Sequence, residues 1–226
     1  NHDEYKDARK SFDFKNVFII PNGVDLKKFK KIDDSNNKRK KIVFFGRIHK
    51  KKGIELLIDA IKLLPNSFFE NFHFEICGPG EKKYLNFIKE KINDISLNKV
   101  AYKDFVSGEK KINYLSNANI FVLPSFEEGD SIALKEALSL SIPVIISRQC
   151  RMDVVKEYNS GLIINSNTKD LYKSLLEISN KDLPLMGKNS RKLMEDKFSI
   201  YDISERVLQI YKDIHCGSKT SRDWIQ

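Results

Sequence analysis

The stretch PSFEEGDSIALKEALSLSIPV, Pro124 to Val144, carries the pattern on which the fold turns. The apolar run before it, Ala118 to Leu123, predicts a short buried strand. Glycine and small polar residues at Glu128-Gly-Asp-Ser131 break the chain. A helix pattern opens at Ile132, with Leu134, Ala137, Leu138 and Leu140 apolar and Pro143 closing it. The unit is strand, tight loop, helix, and a helix start presents free backbone N–H groups to an anion.

Two glutamates, Glu128 and Glu136, flank that start with seven residues between them. Glu128 lies in the loop. Glu136 lies about one turn into the helix, and helical side chains lean toward the N-terminus. Each carboxylate can accept paired hydrogen bonds from neighbouring hydroxyls of a sugar ring. The N–H groups of Ser131, Ile132, Ala133 and Leu134 can hold phosphate. An ordinary helix start fits as well, because acids there suit the macrodipole and Asp130 or Ser131 is a common N-cap.

Outward from this unit, short apolar strands alternate with amphipathic helices. Strands are expected at Val17–Ile20, Lys41–Gly46, Phe72–Gly78, Val100–Phe105, Pro143–Ser147 and Gly161–Ile164. Helices are expected at Gly53–Leu64, Tyr84–Ile95, Lys110–Ala118, Leu171–Ile178 and Leu193–Ile214. Apolar strands without alternation argue for a parallel sheet covered on both faces, an α/β Rossmann-like fold. Ligands of such sheets bind beyond the strands' carboxyl ends. Two such loops stand out. Arg47-Ile-His-Lys-Lys-Lys-Gly53 places four Lys and Arg side chains at a helix start. That is slightly unfavourable as structure but suits an anion site. Gly78-Pro-Gly80 is either a ligand turn or a plain tight turn. His49 reads as a loop residue, and Lys50 and Lys51 as a solvated face.

The chain has 226 residues, 41% of them hydrophobic, enough for one sizeable domain. No apolar run approaches the roughly 18 residues of a membrane span. Asn1 is not an initiator and Asn1–Lys15 is polar, so the expectation is a piece of a longer protein. Cys77, Cys150 and Cys216 are widely spaced and odd in number, which argues against a disulfide framework or zinc site and for a cytosolic setting. A net charge of +9 suits nucleic acid, an anionic membrane surface or a phosphorylated ligand. Basic patches interleaved with aromatics are lacking, so no nucleic acid partner is expected. Lysine is spread along the whole chain.

The central stretch resembles the E-x7-E motif of GT-B glycosyltransferases, specifically the GT4 family of retaining enzymes. Family members read EGFG, then LEA, then a glycine before x-Pro-Val-Ile. This chain reads EGDSIALKEA and LSLSIPVII, with Asp130-Ser131 for Phe-Gly and Ser141 for the glycine. The family's GRL-x-x-x-KG is matched by Gly46-Arg47-Ile48 and Lys52-Gly53. PNGVD, from Pro21, is similar to the segment entering the family's C-terminal, donor-binding domain. The family's f-x-G-x-v falls on Tyr102-Lys-Asp104-Phe105-Val106, with Asp104 for glycine. The family's Gly-rich turn after the next strand is here Arg148 to Asp153, without glycine.

The resemblance implies one half of a GT-B fold. Its parts are a polar linker 1–16 from a missing N-terminal domain, a nucleotide-sugar-binding domain 17–200, and a C-terminal helix and tail 201–226 whose Trp224 packs elsewhere. It implies transfer of a hexose from a nucleoside diphosphate sugar, UDP favoured and GDP admitted, with retention. The acceptor would be a glycan or lipid-linked, in surface polysaccharide synthesis. Arg47 and Lys52 would neutralise the donor diphosphate, Glu128 orient the sugar and Glu136 hold the ribose. Gly46, Gly78, Phe105, Val106 and the helix start would complete the site, with no metal. The enzyme would be cytoplasmic, with a peripheral place on the membrane's inner face admitted, and inactive as this piece alone. Two alternatives stay open: a non-catalytic module for nucleotides or polyanions, and another GT-B enzyme such as a phosphorylase or epimerase.

Overall fold

A computed structural model describes residue 10 and residues 18–31, 38–96 and 98–216. Six parallel strands form one sheet: β1 (Lys40–Phe45), β2 (Phe72–Cys77), β3 (Val100–Lys103), β4 (Ile120–Leu123), β5 (Val144–Ser147) and β6 (Gly161–Ile164), in the order β3-β2-β1-β4-β5-β6. Ile42 to Phe44, Ile120 to Val122 and Val144 to Ile146 are wholly buried. A strand buried on both faces has no polar side to alternate with, which is why these runs read as unbroken apolar segments.

The helices are α1 (Ile54–Leu63), α2 (Phe68–Asn71), α3 (Lys82–Asn93), α4 (Gly108–Ser116), α5 (Ile132–Ser139), α6 (Val154–Glu157), α7 (Thr168–Ser179), α8 (Leu183–Lys197) and α9 (Ile200–His215). α1 packs against α3 and α7, and α5 against α8, so helices flank the sheet. β1 and β4 are neighbours although three sequence steps apart. The strand order reverses between them, and the crevice of a doubly wound sheet opens at that reversal.

Three expectations are corrected. Residues 18–20 are not a strand; Pro21 lacks the N–H a ladder needs, and the segment is instead held by an isolated bridge between Val24 and Ser199. Val100–Phe105 ends as a strand at Lys103. Leu193–Ile214 is not one helix. α8 starts earlier, at Leu183, where the Asp182 carboxylate accepts the Leu185 N–H and Pro184 suits the first turn. It stops at Phe198, and Ser199 is extended to meet Val24. The single-turn helices α2 and α6 carry too few residues to show a period. Trp224 and Asn1–Lys15, apart from Lys10, lie outside the described residues. Ser141 has φ 59°, the left-handed region where glycine costs least. The serine is therefore strained by about 1–2 kcal/mol.

Candidate active site

A cleft of about 560 Å³ opens at the carboxyl ends of β1 and β4. On one side the chain leaves β1 through Gly46 and Arg47 into a short 3-10 turn, Lys50–Lys52. His49 caps that turn, its Nδ1 accepting the Lys51 N–H at 3.2 Å. Gly53 follows with φ 67°, and a Cβ there would lie 2.1 Å from the Pro124 carbonyl oxygen. Only glycine lets the cationic turn press so closely on the start of the β4–α5 loop. The Phe126 N–H then donates to the Lys51 carbonyl at 2.7 Å.

On the other side lie Glu128, Asp130 and the start of α5. The Glu128 side chain is only 6% exposed; Lys52 Nζ donates to its Oε1 at 2.5 Å and Ser125 Oγ at 2.8 Å. Lys51 pairs with Glu127 at 2.6 Å, but both are exposed, and such pairs contribute little. The hydrogen bond and charge of Lys51 hold the Glu127 carboxyl below its usual range. Arg47 is exposed and has no ion pair or hydrogen bond among the described residues. Ser131 caps α5, its Oγ accepting the Leu134 N–H at 3.4 Å. The N–H groups of Ile132 and Ala133, which line the cleft, have no acceptor among the described residues. Three side-chain cations (Arg47, Lys51 and Lys52), two orphan N–H groups and a buried carboxylate thus converge on one cleft. That set suits a polyphosphate bearing a hydroxylated group.

The remaining candidates fall around it. Glu136 is not among the residues lining the cleft. Its carboxylate pairs at 2.5 Å with Lys111 of α4, both largely buried. Lys111 also borders a groove of about 680 Å³ beside Lys28 and Lys30. Phe105 is half exposed, its ring 6.0 Å from that of Phe45, which lines the cleft. Val106 is half-buried beside it. Gly78 is held tightly: a Cβ would lie 1.7 Å from the Gly46 carbonyl oxygen, and its own carbonyl accepts Tyr102 OH at 2.9 Å. Gly78 thus packs two strand ends together. The sequence did not reveal Lys111, Ser125 or the pairing of buried Lys135 with Asp130. Glu136 lies 25 positions from Lys111, and the nearer contacts of Ser125 with Glu128 and of Lys135 with Asp130 follow no periodic spacing that marks them. Burial pushes the Cys150 thiol up to about 11, and the Glu128 charge adds to that. Among the described residues no group of three or more His, Cys, Asp or Glu side chains could hold a metal ion, and no helix is long and apolar enough to cross a membrane.

A family model for glycosyl transferases group 1 matches residues 25–197. The UDP-Gal:alpha-D-GlcNAc-diphosphoundecaprenol alpha-1,3-galactosyltransferase of Escherichia coli is 27% identical over 88% of this chain and 54% of its own. Sucrose-phosphate synthase from Thermosynechococcus elongatus superposes with a TM-score of 0.80 at 22% identity, over 96% of this chain and 57% of that one. An Anabaena protein solved in complex with UDP and glucose gives 0.74 at 17% identity, over 85% and 56%. The chain spans about half the length of the curated relatives it matches. With the doubly wound sheet and the cleft at its reversal point, the match over most of the described residues places this chain in the glycosyl transferases group 1 family.

Proposed function

We propose that this chain is the donor-binding half of a retaining hexosyltransferase of the GT4 type. It would bind a nucleoside diphosphate sugar, UDP-linked by preference, and pass the hexose to a glycan or lipid-linked acceptor held by a second domain. The observation that carries the reading is the cleft in which Arg47, Lys52, the α5 start and buried Glu128 meet. The Escherichia coli relative, whose name gives a UDP-sugar donor and a lipid-linked acceptor, and the UDP and glucose bound by the Anabaena structure support it.

In the reaction, the bond from the anomeric carbon to the diphosphate breaks as the acceptor oxygen bonds to the same face. The acceptor proton ends on the departing phosphate. Arg47, Lys52 and the N–H groups of Ile132 and Ala133 stabilise the charge that builds on the diphosphate, without a metal. Glu128 holds sugar hydroxyls, Glu136 the ribose, and Phe105 and Val106 border the base. Positioning of the acceptor, which accounts for about 7–11 kcal/mol of such barriers, needs the other domain. This chain should therefore bind donor without turning it over. The net charge of +9 suits a peripheral place on an anionic membrane surface in surface polysaccharide synthesis. The test is calorimetry in EDTA against UDP, GDP and ADP, each with and without its sugar. Micromolar binding of a UDP-sugar is expected; no binding of any of them, or binding only with added metal, counts against the reading.

A further inference from the structure

Lys135 is on α5, and its side chain is 1% exposed. Its Nζ donates to Asp130 Oδ2 at 2.7 Å and to the Asn22 carbonyl at 2.8 Å, and lies 2.6 Å from Asp130 Oδ1. The Asn22 N–H donates back to Asp130 Oδ2 at 2.9 Å. The ammonium also sits 4.5 Å from the centre of the Phe198 ring. A buried ammonium costs several kcal/mol unless its protons are all placed; here two acceptors and a ring face surround it. Burial lowers the Lys135 pKa, and Asp130 opposes that.

The pair joins segments far apart in the chain. Asn22 belongs to the segment that enters the domain. Phe198 belongs to the turn before α9, which Val24 also grips. The Val24 N–H donates to the Phe198 carbonyl at 2.9 Å, and the Ile200 N–H to the Val24 carbonyl at 3.1 Å. Gly23 packs on Ile200, where a Cβ would lie 2.7 Å from its Cα. Asp130 lines the cleft two residues after Glu128 and immediately before the α5 cap. Asp130, one of the positions at which the motif departs from the family pattern, and Lys135, which stands at the first position of the family's LEA, are thus each other's partners.

We propose that Lys135 is a positioning residue for the donor site. Through Asp130 it ties the loop between Glu128 and Ser131 to Asn22 and to the turn before α9. That fixes the Glu128 carboxylate and the N–H groups of Ile132 and Ala133 in one arrangement. Both Asp130 oxygens are already engaged, so this carboxylate anchors the loop and does not itself receive the sugar. The inference rests on the donor-binding reading above.

The test uses the whole chain with Lys135→Met and with the uncharged pair Asp130→Leu/Lys135→Met. Amide exchange at Asn22 and Leu134 is followed without ligand, and UDP-glucose affinity by calorimetry. Lys135→Met should lower Tm, speed Asn22 exchange at least tenfold and weaken UDP-glucose at least tenfold. The double variant should recover most of the Tm, because no charge is left buried alone. Its UDP-glucose affinity should stay at least fivefold weaker and its Asn22 exchange fast. Affinity that returns together with Tm overturns the proposal, since Lys135 would then only neutralise Asp130. Unchanged Asn22 exchange in Lys135→Met overturns it as well. If Lys135→Met does not fold, Asp130→Asn carries the same readouts, with the same outcomes deciding. A wild-type chain that binds no nucleotide sugar refutes the donor reading, and exchange alone then decides whether Lys135 fixes the loop.

Discussion

Replacing Lys52 with Met should have two consequences, of which Arg47→Ala shares only one. Lys52 is the sole cation on Glu128 among the described residues, and the glutamate side chain is 6% exposed. Removing the lysine leaves a nearly buried carboxylate with one hydroxyl donor, Ser125. Breaking a fully buried pair costs about 3–5 kcal/mol. The lysine is 23% exposed and water can reach the gap, so about 1–3 kcal/mol is expected here. The same substitution should weaken UDP by about 1.5–3 kcal/mol, roughly tenfold to 150-fold, through loss of a charge-assisted bond to phosphate. Arg47 has no partner to abandon among the described residues, so Arg47→Ala should weaken UDP similarly while leaving Tm within about a degree. Denaturant melts and calorimetry on the two variants measure both quantities. UDP affinity within twofold of wild type in both variants would refute the phosphate role. A stability loss in Arg47→Ala equal to that in Lys52→Met would refute the structural account.

Glu136→Ala should weaken UDP about tenfold and leave pyrophosphate binding nearly unchanged, whereas Glu128→Ala should matter mainly for sugar-bearing donors; calorimetry with pyrophosphate, UDP and UDP-glucose tells them apart, and equal losses on all three refute the division. Stability should fall in alkali. Burial pushes the Cys77 and Cys150 thiols up to about 11 from an ordinary 9.0, so between those values the unfolded chain binds fewer protons than the folded one. Stability is then lost as pH rises from 9 to 11, by at most roughly 3 kcal/mol per thiol. Urea midpoints at pH 8, 9.5 and 11 test this, and Cys150→Ala should flatten the fall. Co-sedimentation with anionic vesicles should be weak at low salt and fade toward 0.15 M salt, where the screening length is about 8 Å; equal pelleting with neutral vesicles refutes an electrostatic attraction.

What was legible in the sequence follows physical lines. Central strands β1, β4 and β5 showed because burial on both faces leaves only apolar residues. Helices α1 and α5 showed because a sheet-facing stripe at helical spacing is local. The cation-rich turn before α1 and the glutamates around the start of α5 showed for the same reason, being contiguous in the chain. Edges and ends were less legible. The Phe18–Ile20 run is apolar enough for a strand, yet no sheet position accepts it, and only the fold reveals that. Ion pairs were not legible at all. Lys111 and Glu136 are 25 positions apart, and Lys52 and Glu128 are 76. Nothing in a linear pattern says which lysine among many neutralises which acid. Ser141 shows the converse: the missing glycine was visible in the sequence, but its positive φ belongs to the backbone.

The two motif glutamates share a condition that bears on how a ligand would enter. Each is nearly buried, and each is held by a lysine from a different element, Lys52 from the β1–α1 turn and Lys111 from α4. A ligand-free site that left these carboxylates without cations would lose several kcal/mol to desolvation, so they are neutralised from within. On the donor-binding proposal, Lys52 turns part of its charge to the diphosphate, which leaves Glu128 short of hydrogen-bond donors. Free UDP cannot supply them at that position. A sugar can, since neighbouring ring hydroxyls match the paired acceptors of a carboxylate. Phosphate binding and sugar binding are then coupled through one lysine. The same cation cannot fully serve Glu128 and the diphosphate together, and hydroxyls on the sugar remove that conflict. On that proposal the cleft would favour the intact donor over its nucleotide product, without needing the loop to move.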